Sequence, residues 1–599
     1  MRYRDILIWC ICVIIAVAGF ITAGMRLDYI NTQRKKMNLI INEPLENAPP
    51  SLAFATVAMG AFRGLVVDVL WMRADKLKEE GQFFDARQLA EWITTLQPRF
   101  AAVWEFHAWN MAYNISVAIP ATQPDQRWRW VKNGYELLRD EGIPLNPKSI
   151  ELYRELARIF QHKIGGVSDD AHKYYKLQLA LAMEPLLHSE DNQLDADENR
   201  YFEALAEVPK TWGEIVNDPN VAELIEALRA ADKQFANDED FVGNYLSLRQ
   251  NPDRYEQQAF EVIDRFRGTA ALKRFDIFAK AYQLRNTWKL DPVVMQQLNK
   301  AYGPADFNDP NKHYPLDWRH PDSHAIYWGV TGLQEVGKER DREIDITETN
   351  TDRIVVHSLQ NLFRYGKIFI YDVPVQVQAE DAPEPERKIA KEIFLRPDLA
   401  MFYPYHEAML AVLEKYKDID REGSYKSLQD GHRNMLRNAV LLFYQSGHIP
   451  QARDIYNELR KRYPRQEFSV PLVVYARNRF REELETIGIY DATEQIVAIL
   501  RESYFRYAMR DDDEAFGRER LAEQIHDYYQ GKYEDTNRID LPPLPRLKYV
   551  ALLDFFEDPQ FPPNLKQNLL GRIGIERPQL HEQLQQQEKE LMQELQKSQ

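Results

Sequence analysis

The chain has 599 residues, a formal net charge of −16, 28% charged residues, and 44% hydrophobic and 12% aromatic residues. That length exceeds one compact core and calls for several domains or an elongated array. The acidic balance excludes a protein that binds nucleic acid by neutralising phosphates, and the apolar content excludes a disordered chain.

At the N-terminus, ILIWCICVIIAVAGFITAGM (Ile6 to Met25) is twenty uncharged residues. At about 1.5 Å of helical rise per residue it spans the roughly 30 Å hydrocarbon layer. This predicts a transmembrane helix, with an N-terminal anchor over 1–28. The run exceeds a signal-peptide core, and Ile21-Thr22-Ala23 lacks the small residue expected before a cleavage site. Arg2, Arg4 and the terminal amine upstream nearly balance Arg26, Arg34, Lys35 and Lys36 downstream. A short tail before a single apolar segment behaves as a signal anchor, which places the bulk of the chain outside the cytoplasm. Cys10 and Cys12, the only cysteines, lie within the apolar run, so the remainder has no disulfide or thiolate metal site.

A linker over 29–51 ends at Pro49-Pro50. SLAFATVAMGAFRGLVVDVLWMRADKL then reads as a buried soluble helix. Arg63 and Asp68 are too costly in hydrocarbon for a second span, although Gly60 and Gly64 have the small-xxx-small spacing of close helix pairs.

From 52 to 187 the sequence begins to repeat. GQFFDARQLAEWITTLQP places Gly81, Ala86, Ala90, Ile93 and Pro98 at intervals of five, four, three and five. GHIPQARDIYNELRKRYP places Gly447, Ala452, Tyr456, Leu459 and Pro464 at the same intervals. Gly makes the turn, the apolar positions three and four apart share one helix face, and Pro closes the unit. Trp104 and Ala108 follow Pro98 with an aromatic-to-small spacing of four, and KLQLALAMEP repeats the closing half with Leu177, Ala180 and Pro185.

Residues 188–315 read as a helical middle insertion. It opens with the acidic loop HSEDNQLDADENR and contains amphipathic stretches such as AELIEALRAADKQF. The pattern resumes over 316–540. Within it, KIFIYDVPVQVQ, AEDAPEPER and KIAKEIFLRP predict a small β-hairpin near 367–396, with Pro374 marking either an edge strand or extended loop. Over 541–599, LPPLPRLKYV reads as a rigid proline connector. PQLHEQLQQQEKELMQELQKSQ reads as a polar helix with a thin stripe of Leu580, Leu584, Leu591 and Leu595.

LDWRHPDSHAIYWG, residues 316–329, holds Asp317, His320, Asp322 and His324 close together and invites a metal-site reading. Pro321 pushes His320 out of helical geometry, so the two imidazoles cannot share a regular face. The stretch reads instead as a helix entry, with Pro321 early and Asp322 or Ser323 as a short polar cap. Trp328 and Gly332 then repeat the spacing of Trp104 and Ala108. A titration shift is expected too, because the positive end of the helix dipole disfavours a charged His324.

The phosphate-binding, serine-nucleophile and zinc-protease signatures are missing. His406-Glu407 begins a zincin-like run, but Leu410 stands where its second His belongs. Asp511-Asp512-Asp513-Glu514 lacks calcium-loop spacing and reads as a solvated helix start. The chain is therefore read as non-catalytic, with no cofactor and no metal.

The two matched segments, with Trp104, Ala108, Trp328 and Gly332, resemble the tetratricopeptide repeat, a helix-turn-helix unit of about 34 residues. The chain also resembles single-pass bacterial proteins that join an N-terminal anchor to such repeats. The resemblance implies an all-α solenoid with insertions and one β-hairpin, held at the bacterial inner membrane and presenting a concave face to partner proteins or peptides. The function so implied is a scaffold or adaptor. A structural subunit of a larger envelope complex is the alternative, and an enzyme with an unfamiliar metal site at 317–324 stands third. Asn110, Asn114, Asn434 and Asn438, exposed on first helices, are the candidate partner contacts, since amides can hydrogen-bond an extended backbone.

Overall fold

The structure, a computed structural model, describes residues 63–189, 198–307, 309–337, 346–377, 386–418, 424–484, 492–533, 542–558 and 561–598. The anchor and linker expected over 1–51 lie outside these residues, as does most of the acidic loop after His188. No helix among the described residues is long and apolar enough to cross a membrane.

The described chain is predominantly helical. Helices α1 (Arg63–Glu79) and α2 (Phe83–Leu96) form a first hairpin, followed by α3 (Ala101–Trp109), α4 (Pro124–Leu137), α5 (Ile150–Arg158) and α6 (His172–Met183). Each of α3, α4 and α5 runs on into a π-helical turn: Asn110–Ile115, Leu138–Gly142 and Ile159–Ile164. The middle segment supplies α7 (Glu198–Glu207), α8 (Trp212–Val216), α9 (Ala222–Ala231), α10 (Asp238–Gln250), α11 (Gln257–Phe266), α12 (Ala270–Gln283) and α13 (Pro292–Tyr302). Then come α14 (Pro321–Gly337), α15 (Ile346–Tyr365), β1 (Lys367–Val377), β2 (Glu386–Arg396), α16 (Phe402–Tyr416), α17 (Ser424–Gln445), α18 (Ile449–Arg462) and α19 (Leu472–Leu484). Last are α20 (Ala492–Ala508), α21 (Asp512–Tyr533), α22 (Leu544–Glu557), α23 (Pro563–Glu576) and α24 (Pro578–Ser598).

The two segments matched in sequence fold alike. Gly81 and Gly447 turn the chain at φ +77° and +85°, a left-handed conformation that costs a side-chain-bearing residue energy. Ala86, Ala90 and Ile93 on α2, like Ala452, Tyr456 and Leu459 on α18, are buried against the preceding helix. Pro98 and Pro464 follow the helix ends. Trp104 and Ala108 are buried, and the Trp104 indole N–H donates to the Pro98 carbonyl at 2.8 Å, tying one unit to the next. Only one face of α1 is buried, through Val67 and Ala74. Leu65, Val69 and Met72 face outward, so the helix expected here to be buried is buried on one face only.

Residues 67 to 475 share one continuous apolar core, so the middle segment packs as part of this body. A second core gathers Ile496 to Leu584. The separation between cores therefore falls before α20, ahead of the boundary expected at 541. The described residues join the two bodies through a polar seam, where His448 Nε2 meets Asp513 Oδ1 at 2.7 Å and the Arg520 guanidinium donates to the Tyr444 carbonyl at 2.8 Å.

Strands β1 and β2 pair antiparallel from Lys367↔Arg396 to Val377↔Glu386. Pro374 sits opposite Ile389; with only two strands, each has an open edge where a missing N–H is harmless. Ile368 and Ile393 at the base pack on Leu177 and Ala180 of α6.

Two C-terminal expectations change. Only Pro542 and Pro543 precede α22; Pro545 lies in its first turn, where the absent N–H would have had no helical partner, so the prolines start a helix where a connector was expected. The acidic run is not simply solvated either. Asp511 is buried and accepts from Arg506, Asp512 pairs with Arg572, and Asp513 takes His448. On α24, Leu580 and Leu584 are buried in the second core, while the side chains of Leu591 and Leu595 lie outside the description.

Gly332 is the tightest constraint on how α14 seats. A Cβ there would stand 2.5 Å from Tyr153 Cβ on α5, closer than van der Waals contact allows. Gly332→Ala is expected to destabilise the first core by about 1–3 kcal/mol, the usual cost of overpacking. Urea unfolding followed by tryptophan fluorescence measures it.

Candidate functional site

The LDWRHPDSHAIYWG stretch is almost wholly buried. Asn299 Oδ1 accepts from the Leu316 backbone N–H at 3.1 Å and the Trp318 indole N–H at 3.0 Å, which fixes the approach to α14. Pro321 opens α14 as expected, but the cap is His320. Its Nδ1 accepts the Asp322 backbone N–H at 3.1 Å, while its Nε2–H donates to the Tyr365 carbonyl at 3.1 Å. An imidazole that accepts at one nitrogen and donates at the other is neutral. Ser323 Oγ instead donates back to the Asp317 carbonyl. His324 Nε2 meets the Trp318 carbonyl at 2.9 Å, and its ring stacks on Phe160 with centroids 4.9 Å apart.

The two histidines thus reach different carbonyls, and no group of three or more His, Cys, Asp or Glu among the described residues is placed to hold a metal ion. Trp328 is buried, and Gly332 brings α14 against α5. Asp322, fully buried, accepts from Asn361 Nδ2 at 3.0 Å, and burial pushes its carboxyl up to about 7. Burial likewise moves both imidazoles down to about 4. For His324 the direction is the expected one, but loss of solvent is its largest cause, ahead of any charged neighbour.

The exposed end of the same stretch walls a cleft of about 1050 Å³, with Trp318, Leu316, Phe202 and Met401 beneath a charged rim. Arg319 is fully engaged there. It makes a two-pronged contact with Asp317, at 2.9 and 2.8 Å, and reaches Glu184 Oε2 at 2.8 Å. Those carboxylates hold its guanidinium above its ordinary range despite the opposing effect of burial.

The candidate asparagines divide. Asn110 is completely buried in the π turn after α3; its Nδ2 donates to the Phe83 carbonyl, and its Oδ1 accepts from Asn114 Nδ2, both at 2.9 Å. It ties α3 to the start of α2 and cannot meet a partner, which corrects the expectation of an exposed amide. Asn114 is half-buried beside it. Asn434 and Asn438 are exposed one turn apart on α17.

They line a groove of about 420 Å³ with Gln360 and Arg364 of α15, Arg437 of α17 and Arg479 of α19. No carboxylate is among the lining residues. The amides of Gln360, Asn434 and Asn438 have no hydrogen-bond partner among the described residues, and Arg364 has no ion pair there. Each amide offers two N–H donors and an acceptor oxygen, and each guanidinium adds donors in a planar fork. The groove can therefore grip a backbone and a carboxylate together. Arg437 lies three residues from Asn434 and was legible as a neighbour on the helix. Gln360, Arg364 and Arg479 come from helices far away in sequence, with no local signal.

Elsewhere, His432 bridges Tyr463 Oη at 2.8 Å and His406 Nδ1 at 3.0 Å, with the His406 and His432 rings stacked. The zincin-like His406 is thus a member of a partly buried ring chain centred on His432. No protein-family model matches the chain, and no relative matches it among curated proteins.

Histidines set the acid response, five of them most strongly. Burial first, then neighbouring cations or imidazoles, lowers His107, His320, His324 and His406 to about 4 and His432 to about 3. Each stays neutral in the fold while the unfolded imidazole protonates near pH 6.5, so their contribution is present above that pH and is lost as pH falls toward 4 and 3. Asp322 acts oppositely: its contribution is complete below about 3.8 and is lost as pH rises through about 7. Glu141 and Glu155, raised chiefly by burial, act like Asp322, while His162, His172 and His357, lowered chiefly by burial, side with the other histidines, so the urea midpoint is expected to fall between pH 6.5 and 4. His107, whose ring nitrogens are both buried without partners, offers a direct check. His107→Leu should raise stability at pH 5 by about 1 kcal/mol or more and flatten the pH dependence.

Proposed function

We infer that the chain is a membrane-anchored adaptor of tetratricopeptide-like architecture, whose groove between α15, α17 and α19 takes an extended, acidic segment of a partner protein. The observation that carries this is the lining itself. Three unpartnered carboxamides stand beside Arg364, Arg437 and Arg479 with no carboxylate among the lining residues, Arg437 meeting Glu467 only at 3.9 Å from outside the lining, on a chain of net charge −16. A basic groove on an acidic surface selects by charge, because an acidic segment meets attraction there and repulsion elsewhere. The amides meet the segment's backbone N–H and C=O groups whatever its side chains. The two hairpins turned by Gly81 and Gly447, with their buried Ala and apolar positions, support the repeat reading. The uncharged run Ile6 to Met25, long enough to cross the hydrocarbon layer as a helix, supports the anchor.

The Arg364→Glu, Arg479→Glu double variant should reduce binding of a fluorescein-labelled, Glu-rich decapeptide at least tenfold, read by anisotropy. Wild-type binding should weaken steadily as salt is raised from about 0.05 to about 0.5 M, because the screening length shortens with ionic strength. Equal affinity for the two proteins would sink the groove reading. For the anchor, alkaline phosphatase fused after Gln599 is expected to be active and green fluorescent protein at the same site dark; the reverse pattern places the bulk in the cytoplasm.

A further inference from the structure

A second groove, of about 700 Å³, lies on the middle segment, remote in sequence from the peptide groove. Its walls are the short turn Lys233–Phe235, the start of α10, the end of α12 and the π-helical turn Leu284–Trp288 that continues it. Five of its lining residues are carboxamides: Gln234, Asn237, Asn244, Gln283 and Asn286. Four of them are pinned. Asn237 Oδ1 caps α10 by accepting from the Glu239 N–H, and its Nδ2 donates to Asp240 Oδ2 at 3.0 Å. Asn244 Nδ2 donates to the Gln234 carbonyl at 2.6 Å, Gln234 Nε2 to the Arg254 carbonyl at 2.9 Å, and Asn286 Nδ2 to the Tyr282 carbonyl at 2.9 Å. Held this way, the amides keep fixed orientations and lose little freedom when a ligand arrives. The Gln283 amide and the Thr287 hydroxyl have no hydrogen-bond partner among the described residues.

Gly243 gives an independent sign. It lies in the interior of α10, where glycine is unfavourable relative to alanine, yet a Cβ there would touch nothing within 4 Å. Packing does not require it. Its effect is to leave the helix backbone bare where it lines the groove, as a site does when a ligand must approach closely.

We propose that this groove binds a neutral saccharide. The lining needs a ligand that both donates and accepts at many points. The Glu239 and Asp240 carboxylates only accept, the amides do both, and Thr287 does both. Sugar hydroxyls match all three. An extended peptide supplies one N–H per residue, alternating in direction, and its carbonyls would oppose the two carboxylates. The lining charge, two carboxylates against Lys233, disfavours phosphates and acidic glycans. The half-buried ring of Tyr282 offers a flat apolar surface for the C–H face of a sugar ring. The volume lies within the roughly 300–1,000 Å³ usual for ligand pockets.

The test uses the full chain in a detergent without sugar headgroups, titrated calorimetrically with chitotetraose, cellotetraose and maltotetraose. At least one should bind saturably, with less than a twofold change between 0.1 and 0.5 M salt, which separates it from acidic-peptide binding at the other groove. Gly243→Leu, which fills the floor, and the Gln283→Ala, Asn286→Ala pair should each weaken that binding at least fivefold. The thermal midpoint of Gly243→Leu should match or exceed that of wild type, so that loss of binding is not loss of fold. Absence of saturable binding by all three oligosaccharides overturns the proposal, as does wild-type affinity in Gly243→Leu. Competition for this groove by an uncharged extended peptide that binds more tightly than the sugars would make its occupant a peptide.

Discussion

The seating of α14 on α5 is the contact on which the first core depends. Residues about 180 positions apart, Tyr153 and Gly332, meet there at a separation only a glycine permits. The consequences spread along the helix. His324 stacks on Phe160 beyond α5, and Gln161 reaches across to the Ile354 carbonyl of α15. In a purely nearest-neighbour array each unit would touch only the next. Here the early helices are closed against later ones, so the middle segment is enclosed within one body.

The same polar residue types serve opposite ends in this chain, and burial decides which. Asn110 and Asn434 both occupy a helix that precedes another in a hairpin-like pair. Asn110, in the π turn, is buried and donates its amide to the Phe83 carbonyl at the start of α2. Asn434 remains on a regular helical face, exposed, with its hydrogen-bonding capacity unspent among the described residues. His320 shows the reverse substitution of roles, an imidazole standing where a Ser or Asp usually caps, which is possible because burial keeps it neutral.

Local rules were legible in the sequence, and three-dimensional coincidences were not. The turn glycines 81 and 447, the apolar positions behind them, the β-hairpin and the helix entry at Pro321 follow from φ preferences and periodicity within a few residues. Pro545 was misleading, because one residue's place in the first turn decides whether a proline starts a helix or prevents one. The groove lined by Asn434 and Asn438 was half legible. Asn434 and Asn438 could be chosen by their spacing on one helix, but Gln360, Arg364 and Arg479 join them only when three helices pack, and no local pattern encodes that meeting.

The seam between the two cores carries a mechanical consequence. Apolar surfaces yield gradually as they are drawn apart, whereas a hydrogen bond or close ion pair is lost after a stretch of about 1 Å. His448 with Asp513, and Arg520 with the Tyr444 carbonyl, therefore make a brittle joint between two compliant bodies. Tension applied along the chain would part the bodies there before either unravels, so the C-terminal helices would swing away as an intact piece.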